Sequence, residues 1–424
     1  MKTCDIALLG CGTVGRSLVE LVDRNRARIR ARSGVDLVVS TILVRDLDKH
    51  RAGIDRRLLT DRPEKALGNG ADVVVELVGG LEPARSFIAA AIAAGKHVVT
   101  ANKALLAQFG IPLWRASAAR DVRIGFEASV CGGIPIVRAL ASGLVGERIE
   151  SIVGILNGTC NYVLTRMSED GLSAAAAVRE AQARGFAEAD PSLDVDGVDA
   201  AQKLGILAEL AFGLQLAPGQ VATEGIRAIE AEDIRAAASL GYVIKHLAIA
   251  RDLGEAGLDL RVHPALLPRS HILAGVLDES NAVLVKGEAV GEIVLHGKGA
   301  GGAPTASAVL SDIIEVVTGA RGPMRLPHPI ADRVAVDIES EYYLRFPVVD
   351  VPGVIGAITT ALGDRGISIA HASATLVPDR SEHGNVTILL HRCKASALRQ
   401  SVDAIAHLPV LAGKPVVVRI VSDA

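Results

Sequence analysis

Aromatic side chains are scarce: Phe, Trp and Tyr make up 3% of the 424 residues. A core built with so few must be filled by Ala, Val and Leu, which suits tightly packed α/β layers. Cysteine is scarce as well. The five (Cys4, Cys11, Cys131, Cys160, Cys393) are odd in number and scattered, and no two form a Cys-x-x-Cys pair. That removes the signature of a disulfide framework and points to reduced thiols in a cytoplasmic protein. Neither sign of charge dominates, since the net charge is -3 with acids and bases interspersed. Nothing therefore suggests a nucleic-acid partner or a membrane surface. The one basic run, Arg24 to Arg32, reads as the exposed end of a helix. No apolar run approaches the roughly 18 residues of a membrane span. The first residues lack the architecture of a signal peptide.

Half the residues are hydrophobic, and 424 residues are too many for one ordinary core. Two or three domains are expected. In the first part, strand-like runs at Asp5–Leu9, Leu37–Val44, Val73–Val78, His97–Thr100 and Val122–Phe126 alternate with helical segments. That predicts a parallel sheet covered on both faces. From about Ala128 glycines multiply and longer helices appear, such as 174–184 and 200–212, which predicts a second domain of α+β type. Gly322-Pro323 and Pro327-His328-Pro329 mark a linker. Beyond it, the order βαββαβ over about eighty residues predicts a small ferredoxin-like unit. The expected domains are 1–128, 129–325 and 338–424, with the helix near 305–318 packing back on the first.

The chemistry-bearing motifs begin at Gly10-Cys-Gly12-Thr13-Val14-Gly15, which follows a strand and opens a helix. Gly10 allows a tight turn, Gly12 the approach of a pyrophosphate, and Gly15 close helix–strand packing. At the end of the second strand, Arg45 suits the 2′-phosphate of NADP, while the neighbouring Asp46 keeps NAD open. Lys103 ends Val99-Thr-Ala-Asn-Lys103, at the carboxyl end of a strand where α/β sheets bind ligands. Glu127 begins a bent, glycine-containing segment running to Pro135. Exposed carbonyls there suit a hard monovalent cation, and a plain domain-crossing turn is the alternative. Gly185 to Lys203 carries five carboxylates and then a lysine. Acid-rich loops are commonly just solvated. However, Asp199 and Lys203 are one helical turn apart and share a face. With a nicotinamide cofactor, a lysine and clustered acids suit hydride transfer coupled to proton transfer.

These motifs, with Val75–Gly80, Gly95–Lys103, Gly154–Thr159 and Gly299–Ala308, occur in an order and spacing that resembles the homoserine dehydrogenases over about residues 3 to 320. The tail from Tyr342 resembles an ACT domain. One departure is His271-Ile-Leu-Ala274, where relatives often read His-Pro-Leu-Ala. The resemblance implies an α/β protein with three parts: an N-terminal Rossmann-type domain, a central α+β substrate and dimerisation domain, and a C-terminal ferredoxin-like ACT domain. It implies NAD(P)-linked interconversion of L-homoserine and L-aspartate 4-semialdehyde by a homodimer or homotetramer. Lys203 matches the proton donor, Lys103 a second active-site lysine near nicotinamide and substrate, and Asp199 a further acid of that set. Glu188 matches the carboxylate that holds the substrate amino group, with Asp194 beside it in the substrate set. Gly302 joins Gly10–Gly15, Arg45 and Lys103 in the cofactor set. Glu127, Val130, Gly132 and Ile134 match a sodium site, and threonine is the implied effector of the ACT domain. Two other readings stay open from the residues: a related amino-acid dehydrogenase, and a non-catalytic sensor.

Overall fold

The computed structural model describes residues 1–68, 70–217, 219–319, 334–377 and 380–421. The linker expected at 322–329 lies outside the described residues. The chain divides into two compact units. One is formed by Met1–Ile152, Asp199–Val221 and the segment beginning at Ser280, the other by Val153–Val198, Ala222–Glu279 and the C-terminal segment.

The first unit holds a six-stranded parallel sheet: β1 Lys2–Leu9, β2 Val35–Leu43, β3 Leu59–Thr60, β4 Val73–Glu76, β5 His97–Thr100 and β6 Ile124–Gly125. The order is β3-β2-β1-β4-β5-β6, with every neighbouring pair parallel. The short expected runs are thus all strands, and β3 is an addition too brief to show a pattern. Alternation along β1 sorts its residues to two faces. Cys4, Ile6 and Leu8 share a core with Leu18, Val22 and Ile29 of the helix Thr13–Ser33 and with Val309, Ile313 and Val317 of the helix Gly302–Thr318. Ala7 and Leu9 share another with Ile88 and Ile92 of the helix Ala84–Ala93 and with Leu105 and Leu113 of the helix Lys103–Ala119. Each such fully buried aliphatic side chain stabilises the fold by about 1.5–3 kcal/mol. The strand order reverses between β1 and β4, and the crevice outside the carboxyl ends there is where such sheets take ligands.

The basic run 24–32 is helical but not wholly solvated. Arg26 and Arg30 both reach Asp36, which is buried at the start of β2 and whose carboxyl they hold well below the usual range.

The second unit carries the antiparallel pair Tyr242–Asp252 and Leu258–Pro268. Its C-terminal part is βαββαβ: Glu339–Val349, Val354–Gly363, Ile369–Val377, Arg380–Lys394, Ala395–Ile405 and Val416–Ile420. Numbered within this module, its strands stand in the order 4-1-3-2, all antiparallel. Tyr342, Leu344 and Phe346 face its two helices, sharing a core with Ile358, Leu362, Leu398 and Ile405. Tyr343 points the other way, into a core with Tyr162, Ile234 and Leu266. Arg345 on the same strand is 3% exposed. Its Nε donates to Asp233 Oδ1 at 2.7 Å and its Nη2 to Glu230 Oε2 at 2.8 Å, while Tyr343 Oη donates to Asp233 at 3.0 Å. The module is thus tied to the helix Ala231–Ser239 by a buried ion pair. Removing one partner of such a pair typically costs about 3–5 kcal/mol.

Candidate active site

The glycine loop after β1 is built by close approach. Gly10 has φ +97°, and a Cβ there would lie 2.6 Å from the Leu77 carbonyl oxygen. A Cβ on Gly15 would lie 2.5 Å from the Gly10 carbonyl oxygen. Gly12 is exposed with open space before it, and it caps the helix Thr13–Ser33 without a side chain, so that N-terminus has bare N–H groups. Thr13 is exposed and Val14 half-buried against the core beneath. A second helix N-terminus comes close, for a Cβ on Gly302 would stand 2.9 Å from Thr13 Cγ2 and 2.8 Å from Ser17 Oγ. Two helix N-termini side by side favour an anion. Arg45 is exposed just past β2, whereas Asp46 turns back to accept N–H from Asp48 at 2.8 Å and Lys49 at 3.1 Å.

Lys103, Asp199 and Lys203 meet in this unit. Lys103 is the first residue of its helix, at the carboxyl end of β5. Asp199 lies in the first turn of the helix Val198–Phe212, which starts earlier than the 200–212 expected from the sequence. Its Oδ1 is 3.1 Å from Lys103 Nζ and its Oδ2 2.7 Å from Lys203 Nζ. The side chains of Asp199 and Lys203 are 9% and 12% exposed, against 37% for Lys103. This is no solvated surface pair, but one buried carboxylate bridging two ammonium groups.

The chain matches the model described as homoserine dehydrogenase, NAD binding domain, over residues 10–127, that of homoserine dehydrogenase over 135–314, and that of the ACT domain over 342–406. It is 42% identical to a homoserine dehydrogenase of Synechocystis sp., over 99% of this chain and 100% of that one. The crystal structure of a homoserine dehydrogenase from Thiobacillus denitrificans is 41% identical, with a TM-score of 0.91 and coverage of 100% and 99%. A hyperthermophilic archaeal homoserine dehydrogenase in complex with NADPH is 28% identical, with a TM-score of 0.63, and matches 76% of this chain and 100% of its own. The chain belongs to the homoserine dehydrogenase family. It is an oxidoreductase with a Rossmann-like domain, a central domain and an ACT domain.

The remaining residues expected at the site from the sequence fall in both units. In the first, the Glu127 carboxylate is 3% exposed and accepts N–H from Val137 at 2.8 Å and Arg138 at 2.9 Å. Cys131 and Gly132 both have positive φ, 55° and 51°, and reverse the chain. A Cβ on Gly132 would lie 2.6 Å from the Gly299 carbonyl oxygen. Among the described residues the carbonyls of Val130 and Gly132 accept no hydrogen bond, while that of Ile134 accepts from Ile136 N at 2.8 Å. Asp312 Oδ2 accepts from Glu127 N at 2.8 Å, and burial with the Glu127 charge beside it pushes the Asp312 carboxyl up to about 8. In the second unit, Glu188 is exposed, its backbone carbonyl held by Gln182 Nε2 at 3.0 Å. Asp194 is in the short helix Ser192–Val195, where its Oδ1 accepts from Asn157 Nδ2 at 2.7 Å. Asn157 Oδ1 in turn caps the helix Gly158–Glu169 through Cys160 N.

Sequence reasoning missed a hydrogen-bonded network beneath the N-terminus of the Lys103 helix. The fully buried Glu76, at the end of β4, accepts from Thr100 Oγ1 at 2.7 Å and from the N–H of Val78 and Gly79. Thr100 Oγ1 accepts from Asn102 N, and Asn102 caps the Lys103 helix through Leu105 N while donating to Gly80 O at 2.7 Å. The signal was available: a polar residue closing each of two apolar strand runs, on the ligand side of the sheet.

Proposed function

We propose that the protein catalyses the reversible interconversion of L-homoserine and L-aspartate 4-semialdehyde, on the route to threonine, methionine and isoleucine. The observation that carries this reading is the Asp199 carboxylate bridging Lys103 and Lys203. Bound in the crevice beside Gly10–Gly15 and Gly302, the nicotinamide cofactor supplies or accepts the hydride. Lys203 gives a proton to the oxygen of the nascent alkoxide, and takes it back in the other direction. Lys103 supplies positive charge at the same oxygen and faces the cofactor. Asp199 holds both ammonium groups in place. Glu188 and Asp194 take the substrate amino group.

NADP is the preferred cofactor in this reading, with NAD possible, because Arg45 is exposed for a 2′-phosphate while Asp46 is spent on its own turn. A sodium ion fits the Glu127 turn. Carbonyl and carboxylate oxygens keep a lone pair beyond the N–H they accept, and the carbonyls of Val130, Gly132 and Ile134 join Glu127 as hard donors suited to such a cation. The domain limits are 1–128, 129–325 and 338–424, and the enzyme is a cytoplasmic homodimer or homotetramer. Threonine acts through the turn Asp350–Gly353. There Gly353, at φ +89°, caps the helix Val354–Gly363 without a side chain. An absorbance assay with both cofactors and in both directions tests the activity. Failure to oxidise either reduced cofactor with aspartate semialdehyde refutes it.

A further inference from the structure

In the second unit, Asp259, Arg261 and His263 stand two residues apart on the strand Leu258–Pro268 and so share one face. Arg419, on the last strand, pairs in register with Ala265 on that strand. A cavity of about 180 Å³ opens there, lined among others by Arg261, His263, Arg392, Arg419, Glu339 and Glu341. Pockets for drug-sized ligands run to about 300–1,000 Å³, so this one admits only a small molecule.

Its walls contain buried groups of both polarities that have no hydrogen-bond partner among the described residues. Arg261, 8% exposed, gives Nη2 to Asp259 at 2.6 Å, but its Nε has no partner among the described residues. Arg419 gives Nη1 to Glu224 at 2.9 Å and lies against Tyr342, and its buried Nε has no hydrogen-bond partner among the described residues. These are donors. His263, 1% exposed, has Nδ1 2.8 Å from the Pro264 carbonyl oxygen. A carbonyl only accepts, so Nδ1 carries the proton. Burial and the positive charges of Arg419 and Arg261 push the imidazole pKa well below its ordinary value, so the ring is neutral. Nε2 is then a lone-pair acceptor, and it too is buried without a partner among the described residues. Glu339 and Glu341 add carboxylates at the rim. Buried polar groups left unpaired are costly. A ligand that satisfies these carries an oxyanion for the guanidinium N–H groups and an O–H or N–H donor for His263, and the carboxylates of Glu339 and Glu341 favour a positively charged donor.

We propose that this cavity binds a free α-amino acid, its carboxylate on Arg261, Arg392 and Arg419 and its ammonium toward His263, Glu339 and Glu341. The site is separate from the dehydrogenase chemistry and from the Asp350–Gly353 turn. It lies where the C-terminal module joins the preceding strands through a two-residue register, Ala265 with Arg419 and Leu266 with Ile420. An amino acid bound there braces that joint.

The test is calorimetry on the full-length protein with a panel of the protein amino acids and with inorganic phosphate, each at millimolar concentration. Two variants are compared. Arg392→Ala removes an exposed side chain, and Arg419→Lys keeps the charge but loses the guanidinium fork. At least one amino acid should bind, about tenfold or more weaker in each variant, the scale of a lost charge-assisted bond. Basal dehydrogenase activity of the same preparations should be unchanged, and Gly353→Ala should leave the affinity intact. The proposal is overturned if no amino acid binds the wild type, or if both arginine variants bind it equally well. It is also overturned if only Gly353→Ala loses binding, or if phosphate binds and no amino acid does. Dehydrogenase activity, read separately, reports on the reaction and not on this site.

Discussion

Replacing Lys203 with alanine separates chemistry from folding in a way the geometry makes quantitative. Lys203 and Lys103 share the buried Asp199 carboxylate, at 2.7 and 3.1 Å. The variant removes one ammonium and leaves the other, so Asp199 keeps a counter-charge. The roughly 3–5 kcal/mol penalty for orphaning a buried charge does not apply. What is lost is the packing of the lysine stem and one of two ion pairs, about 1 kcal/mol, as for an ordinary substitution. The chemical loss is larger. A positioned general acid contributes about 10²–10⁴ in rate, or about 3–5 kcal/mol of barrier at 1.36 kcal/mol per decade. Turnover in both directions should therefore fall by two to four orders of magnitude, while thermal unfolding shifts by only a few degrees. Small primary amines added to Lys203→Ala should restore part of the rate, since they can occupy the vacated space and carry the proton. A variant with turnover within about threefold of the wild type removes Lys203 from the mechanism. One whose lost activity merely tracks lost folded protein makes Lys203 structural.

Four further outcomes follow from the site and its surroundings. Glu188→Gln keeps shape and loses charge, so the Michaelis constant for homoserine should rise with little change in cofactor affinity; equal weakening of both would make Glu188 structural. Arg45→Ala should shift the NADP/NAD ratio of kcat/KM toward NAD, by about tenfold for one lost charge-assisted contact, and an unchanged ratio would show that Arg45 points elsewhere. Lys245 is 3% exposed and burial lowers its pKa to about 8, against 10.5 unfolded, so between those values the unfolded chain binds more protons and stability should rise with pH by up to about 3 kcal/mol; urea midpoints from pH 7 to 11 should show that rise in the wild type and not in Lys245→Met. Gly353→Ala forces a side chain into a left-handed position and should abolish inhibition by millimolar threonine without lowering basal rate, and inhibition as strong as in the wild type would move the effector site elsewhere.

The parallel sheet was legible because each of its longer strands is a short apolar run bounded by glycine or a polar residue, a local signal. The βαββαβ order was legible for the same reason. Charges were read less well, because charged residues are rarely fully buried and are taken as solvated by default. Arg345 and Asp233 are 112 residues apart and both buried, and no local pattern announces that pairing. It also bears on how the ACT module can be studied. Tyr343, Val416, Val418 and Ile420 of that module share a core with Ile234, Ile244 and Leu266. Deleting the module would expose that core, so point variants are the sound test of regulation.

The acid-rich segment from Gly185 to Lys203 shows where reading a string stops short. Its spacing gave the Asp199–Lys203 pair at once, because residues four apart on a helix share a face. The third member, Lys103, is reached only through the end of β5, and its position depends on Glu76, Thr100 and Asn102 gripping one another from two strands. The segment is also divided between two cores. Val195 packs with Tyr162, Ile226 and Ile229 in the second unit, and from Asp199 onward the chain belongs to the first. Glu188 and Asp194 therefore take their positions from elements such as Gln182 and Asn157, and Asp199 and Lys203 from a different set. Neighbours in sequence within this motif are held by separate packing. A substitution in the first group should thus leave the Lys103–Asp199–Lys203 bridge intact, and that independence is what makes Glu188→Gln and Lys203→Ala separate tests of binding and of chemistry.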